Sequence, residues 1–157
     1  MWQRSSLKAG GSLLGLWVIM EAPKEQDIQM IIKIHNYGKI PAKKNRMRIY
    51  KQRMIKDKTV RTFEAMLKQR AIEIMTLIGH PVIEGPVKLH LDVTFGDRRR
   101  RDLQNLFGSV CDSLNGIVYN DDHQIQKLSG SKMYKKNHWE YTITITTLKT
   151  KEDIDGK

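Results

Sequence analysis

Asp102, Asn105, Ser109 and Asp112 stand at offsets of 0, 3, 7 and 10 along a segment with helical periodicity, so they share one helix face. Four consecutive arginines, Arg98 to Arg101, come just before them, and a second acidic pair, Asp121–Asp122, follows. Two carboxylates brought together suit Mg²⁺, a hard cation that takes one or two carboxylates and leaves its other positions to water and phosphate oxygens; Mn²⁺ fits the same donors. Such an ion polarises a phosphoryl group, helps ionise the attacking water and offsets charge on the leaving oxygen. The arginines would grip neighbouring phosphates, bidentately where geometry permits. This chemistry needs a strand or loop that returns from the helix end and sets Asp122 beside Asp102. Each piece alone has a plainer reading, the helix face as a solvated surface and Asp121–Asp122 as a turn.

Other chemistries find less support. No Ser/His/Asp arrangement is present, and the histidines, His35, His80, His90, His123 and His138, are scattered. His123, beside Asp122, reads as a turn residue rather than a base. Cys111 is the only cysteine, which excludes an internal disulfide and CxxC-type zinc binding. It borders the apolar rhythm of Leu106, Phe107, Val110 and Leu114, the setting of a small core filler. A reducing cytoplasm is the expected compartment.

The 157 residues carry a formal net charge of +11 with 39% hydrophobic content, as expected of one folded domain with an anionic partner. The charge is clustered. Between Lys39 and Arg61 ten lysines and arginines face a single acid, Asp57. Lys43, Lys44 and Arg46 in this run, with Arg98, Arg99, Arg100 and Arg101, are the expected nucleic-acid contacts. The apolar run Leu13–Met20 is too short to span a bilayer, so no membrane association is expected.

The elements that must position these residues follow from pattern. Residues 1–29 read as an extension outside the core, 30–148 as a single domain and 149–157 as a polar tail. Met30–Asn36 predicts a strand, followed by a basic loop around Gly38 and Pro41. Phe63, Leu67, Ala71, Ile74 and Ile78 fall on one face of a helix that Gly79 ends. Val87, Leu89, Leu91, Val93 and Phe95 alternate as a strand. A second helix is expected from Asp102, with Leu103, Leu106, Phe107, Val110 and Leu114 buried, and stops at Asn115–Gly116. Residues 124–135 and 138–148 predict two antiparallel strands. The order β-α-β-α-β-β defines an α+β domain with helices packed on a mixed sheet.

Taken jointly, "DRRRRDLxNL", "DSLNG" and "YNDDxQI", with "IPAKKNR" upstream, closely resemble the pattern of the RusA family of Holliday junction resolvases over about Met30 to Leu148. The resemblance implies a homodimer that nicks four-way DNA junctions symmetrically with Mg²⁺, in recombination and repair of phage or bacterial DNA. A two-fold junction is matched by a two-fold protein carrying two sites. Carried onto this chain, the resemblance makes Asp102 and Asp122 the catalytic metal ligands. Asn105, Asp112 and Asp121 take supporting roles.

Two positions depart from the family pattern. Its helix motif reads Asp-x-Asp-Asn with a lysine three residues after the asparagine; here Gln104 and Gly108 occupy those places. Positions 104 and 108 are i and i+4, the spacing of an ion pair on one helix, so the two losses are linked. Gln104 offers a neutral carbonyl without charge. Gly108 removes a cation that could stabilise the transition state and weakens the helix by about 1 kcal/mol relative to Ala. A catalytically impaired junction-binding protein therefore stands as the alternative to an active endonuclease. An unrelated RNA-binding module is disfavoured, because no aromatic-rich strand offers a stacking platform.

Overall fold

The computed structural model describes residues 16–17, 30–42, 47–50 and 53–149. The expected contacts Lys43, Lys44 and Arg46, nearly all of the N-terminal extension and all of the tail beyond Lys149 lie outside the described residues. The elements are β1 (Leu16–Trp17), β2 (Ile31–Tyr37), β3 (Met47–Tyr50), β4 (Arg53–Lys56), α1 (Lys58–Ile78), β5 (Val87–Phe95), α2 (Gln104–Leu114), β6 (Ile125–Tyr134) and β7 (Glu140–Thr147).

Period-2 alternation sorts the strands onto two faces. Ile32 and Ile34 of β2, Leu89, Leu91 and Val93 of β5, and Tyr141, Ile143 and Ile145 of β7 point one way and are buried. Phe63, Leu67, Ala71 and Ile74 of α1 and Leu106, Phe107, Val110 and Leu114 of α2 close over them as one core. The opposite sheet face is polar and internally bonded. His90 lies within hydrogen-bond distance of Ser129 Oγ (2.7 Å) and Asp92 Oδ1 (3.0 Å), and Thr94 Oγ1 donates to Glu140 Oε1 at 3.2 Å. Asp57 caps α1, accepting from the Thr59 N–H, and Gly79 ends it with φ 61°, a left-handed conformation that glycine takes without a Cβ penalty.

The strands run in the order β1-β2-β7-β5-β6, and β5 and β6 are parallel while the other neighbours are antiparallel. This is the expected α+β domain with two helices on a mixed sheet. One detail differs from the sequence reading. β6 and β7 have opposed directions but are not paired with each other, because β5 lies between them. A parallel β5–β6 pair needs a crossover, and α2 supplies it. The β3–β4 hairpin, register Met47↔Lys56 to Tyr50↔Arg53, is a second small sheet that the charge-dominated pattern of residues 43–61 did not reveal.

Direction determines what meets what. β2, β5 and β6 all run the same way, so Tyr37, Phe95 and Tyr134 finish at one end of the sheet. The connections agree: the Gly38 N–H donates to Trp139 O at 2.9 Å, and the Lys135 N–H to Phe95 O at 3.0 Å. Because α2 runs back against β5, its first turn stands at this end. Its last turn stands at the other, where β6 begins.

Candidate functional site

The end where β5 finishes collects positive charge. The chain leaves β5 through Gly96 and Asp97 into Arg98–Arg101, and Lys39, Lys132, Lys135 and Lys136 belong to the neighbouring segments. The arginines are not equivalent. Arg99 is 84% exposed and Arg100 is also exposed, whereas the Arg98 guanidinium lies over the Tyr134 ring, 5.0 Å from its centroid. Arg101 turns inward. It pairs with Asp97 through both terminal guanidinium nitrogens, Nη2 donating to Oδ2 at 3.0 Å, and lies over the rings of Phe95 (5.2 Å) and Trp139 (4.8 Å). The Arg101 hydrogen bond is the main cause that lowers the Asp97 carboxyl to about 2. Lys132 Nζ donates to Arg101 O at 3.2 Å, tying the loop down to β6. Gly96 is needed here, since a Cβ would stand 2.2 Å from Trp139 Nε1.

Asp102 follows directly. It is exposed, and its Oδ1 accepts from the Gln104 N–H at 3.0 Å, so it caps the start of α2 from two residues before the helix. Gln104 is exposed as well, Asn105 and Asp112 are half-buried, and open space surrounds Gly108 where a Cβ would point.

Ser109 does not belong to the solvated face expected from its spacing. It is fully buried, and its Oγ donates to Pro41 O at 2.8 Å, while Ser113 Oγ donates to Ser109 O at 2.7 Å. Position 109 meets the loop leaving β2, a partner 68 residues away that helical spacing alone does not reveal. The contact anchors Pro41, two residues before the basic run at Lys43, against the α2 face that also carries Asn105 and Asp112.

Asp121 and Asp122 lie at the far end. Asp121 caps a single 3-10 turn, Asp122–Gln124, in a reciprocal capping box with Gln124 and pairs with His123 Nδ1. These contacts hold the Asp121 carboxyl below the usual range, through the His123 backbone N–H first, and raise the His123 imidazole. His123 is a turn residue, as its neighbours suggested. Gln124 Nε2 donates to Ile83 O and Gly85 O, both at 2.8 Å, fixing the turn beside the segment that enters β5. Asp122 is exposed, and its backbone carbonyl accepts from the Ile125 N–H. Its charge is felt at Cys111 in the last full turn of α2, where burial first and Asp122 second push the thiol up to about 11.

Asp102 and Asp122 therefore flank opposite ends of α2. The helix has 11 residues and is about 16 Å long at 1.5 Å per residue. Carboxylate oxygens on one magnesium ion each sit about 2.1 Å from it, so these two cannot share an ion inside a single chain. Among the described residues, no group of three or more His, Cys, Asp or Glu side chains is placed to hold a metal. The chain after α2 does turn back, with the Gly116 N–H donating to Tyr119 O at 2.8 Å and Tyr119 Oη to Cys111 O at 3.2 Å, but it returns only as far as the last turn of the helix.

Asp97, Lys132 and Trp139 escaped the sequence reading. Asp97 and Arg101 are four residues apart across a loop, so helix-pair reasoning does not reach them, and Trp139 arrives from the β6–β7 connection.

Fold and surface define the class: an α+β domain with a basic rim and exposed carboxylates, suited to bind a polyanion. The family model described as Endodeoxyribonuclease RusA matches residues 36–146, and the chain belongs to this family of Holliday junction-resolving endonucleases. No curated protein matches the chain. Among the described residues, no helix is long and apolar enough to cross a membrane.

Proposed function

We propose that this protein is a structure-selective endodeoxyribonuclease that hydrolyses phosphodiester bonds at four-way DNA junctions with Mg²⁺, acting as a homodimer. Beyond family membership, one observation carries the reading: the exposed Asp102 carboxylate follows a loop that Asp97, Trp139 and Lys132 clamp from three sides, with Arg99 and Arg100 projecting beside it. Such a loop offers oxygen donors and phosphate grips whose relative positions are set before DNA arrives, the arrangement that electrostatic catalysis rewards.

Asp102 and Asp122 would hold the ion, which when bound supplies the Lewis acidity for attack on phosphorus. Since one chain keeps these carboxylates at opposite ends of α2, each site draws Asp102 from one protomer and Asp122 from the other. Arg99 and Arg100 hold the phosphates that flank the scissile bond, and Gln104 orients through its amide. Equal mixtures of Asp102→Asn and Asp122→Asn protein test the sharing. Each variant alone leaves a mutation in every site, whereas a mixed dimer carries one intact site, so junction nicking should reappear on mixing. Wild-type protein that fails to cut a four-way junction with Mg²⁺ or Mn²⁺ excludes the nuclease reading.

Gln104 and Gly108 favour a second reading, a junction-binding protein that has lost cleavage. It requires tight, salt-sensitive binding to the junction without product in either metal.

A further inference from the structure

We infer that the Arg98–Tyr134 pair is a stacking platform for an unpaired base, and that it makes this protein prefer branched DNA to continuous duplex. The inference rests on the junction-binding reading above and holds whether or not the chain cuts.

No single strand is rich in aromatic residues, but the fold sets two guanidinium–aromatic pairs side by side. Phe95 and Tyr134 are register partners at the ends of the parallel strands β5 and β6. Arg101 lies over Phe95 at 5.2 Å, and Arg98 lies over Tyr134 at 5.0 Å. Their surroundings differ. Phe95 is buried, Trp139 stands edge-on to it at 6.0 Å, and Asp97 holds Arg101, so the inner pair is sealed. Tyr134 is 46% exposed and Arg98 is exposed as well. The outer pair therefore turns an aromatic and cationic surface toward solvent.

The backbone beneath it is fixed in advance. The Lys135 N–H donates to Phe95 O at 3.0 Å and the Asn137 N–H to Gly96 O at 2.9 Å, fastening the chain after Tyr134 to the exit of β5. A ring held this way loses little freedom when a base stacks on it. Lys135 and Lys136 follow directly and are exposed, cations for the phosphates beside a stacked base. Two residues before Tyr134, and on the same face of β6, Lys132 holds Arg101 O, next to Asp102. The platform thus adjoins the carboxylate proposed to hold the ion.

The chemistry of the occupant follows. Every nucleobase offers a π-face to a tyrosine ring or a guanidinium, whatever the sequence. Bases inside a continuous duplex have both faces covered by their neighbours, whereas stacking is interrupted at a branch point and a face comes free. Phosphate contacts alone grip duplex and junction arms alike. The platform adds an interaction that only DNA with an uncovered base can use. Tyr37, 55% exposed, differs: it stands edge-on to His35 and His138 on the opposite face of the sheet.

Binding of the full chain to a four-way junction and to a hairpin-closed duplex, with Ca²⁺ replacing Mg²⁺, tests the platform. Tyr134→Ala should lower the ratio of junction to duplex affinity about tenfold. The slope of log affinity against log salt should match that of the unaltered chain, since no phosphate contact is lost. Tyr134→Phe keeps the ring and should restore the ratio, and Tyr37→Ala should not change it. An unchanged ratio in Tyr134→Ala, a shallower salt slope, failure of Tyr134→Phe to restore, or an equal loss in Tyr37→Ala overturns the platform. Photocrosslinking of the unaltered chain supplies a reading independent of any folding defect. 5-Iodouracil at the branch point should crosslink to Tyr134, and 5-iodouracil in mid-arm should not. Crosslinking at both places alike, at neither, or only to other residues overturns the inference. Unaltered protein with no preference for the junction rejects the platform and the function above together. A preference that survives Tyr134→Ala rejects the platform alone.

Discussion

Arg101 and Asp97 close the loop between β5 and α2 as a two-toothed fork, with Nη2 3.0 Å from Oδ2 and the guanidinium laid over Phe95 and Trp139. The fork is a pH-dependent clasp. The Asp97 carboxyl lies at about 2 in the folded chain, lowered first by the Arg101 hydrogen bond, against an unfolded value near 3.9. A depressed carboxylate stabilises the fold fully above the unfolded value and loses that contribution as pH falls through the folded one. Acid unfolding should therefore contain a component between about pH 4 and 2 that Asp97→Asn removes, measured by fluorescence of Trp139 in the Trp2→Phe, Trp17→Phe background.

Arg99 and Arg101 should separate when each becomes alanine. Arg99→Ala should leave thermal stability unchanged, weaken junction binding and reduce the slope of log affinity against log salt by about 1, as for one lost phosphate contact. Arg101→Ala should lower the melting temperature by a few degrees, since it removes the fork and two cation–π contacts together. Equal melting temperatures for the two variants would contradict the inward placement of Arg101.

Gly108 weakens α2 without a steric need for glycine, because nothing lies within 4 Å of an added Cβ. Gly108→Ala should stabilise the protein by about 1 kcal/mol in urea titration. The pair Gln104→Asp with Gly108→Lys should raise cleavage strongly with little change in junction affinity. Equal cleavage by the unaltered chain would show that these positions carry no catalytic deficit.

Cys111 should be a slow nucleophile. With its thiol pushed up to about 11, roughly a thousandth is thiolate at pH 8, and alkylation should accelerate sharply in urea. Asp122→Asn should speed native labelling modestly by removing one of the causes of the shift. Asp102→Asn, at the other end of α2, should not. Equal acceleration by both variants would place Asp102 much nearer Cys111 than the fold allows.

Much of the architecture was legible because it is local. The alternation of Val87 to Phe95, the spacing of Phe63 to Ile74 and the glycine stop at Gly79 each follow from backbone period and conformational preference, and the observed elements agree with them. The β3–β4 hairpin was hidden because lysines and arginines interrupt its apolar alternation. The pairing partner of β6 was hidden for another reason: which strand lies beside which depends on the crossover, and no segment contains that information alone. Ser109 shows the limit most clearly, a polar residue in register with a solvent face yet buried by a loop 68 residues upstream.

The amino-acid sequence by itself determined the kind of protein this is: two basic segments, paired acidic motifs, the α+β element order and the two departures at Gln104 and Gly108. Those are properties of residue type and short spacing, which survive any arrangement of the chain. Only the tertiary structure decided that Arg101 is a brace rather than a grip, and that Asp102 and Asp122 lie an entire helix apart. Both depend on direction, on α2 running back against β5 while β6 runs forward beside it. A one-dimensional pattern carries the distance between residues along the chain but not the sense in which the chain crosses space.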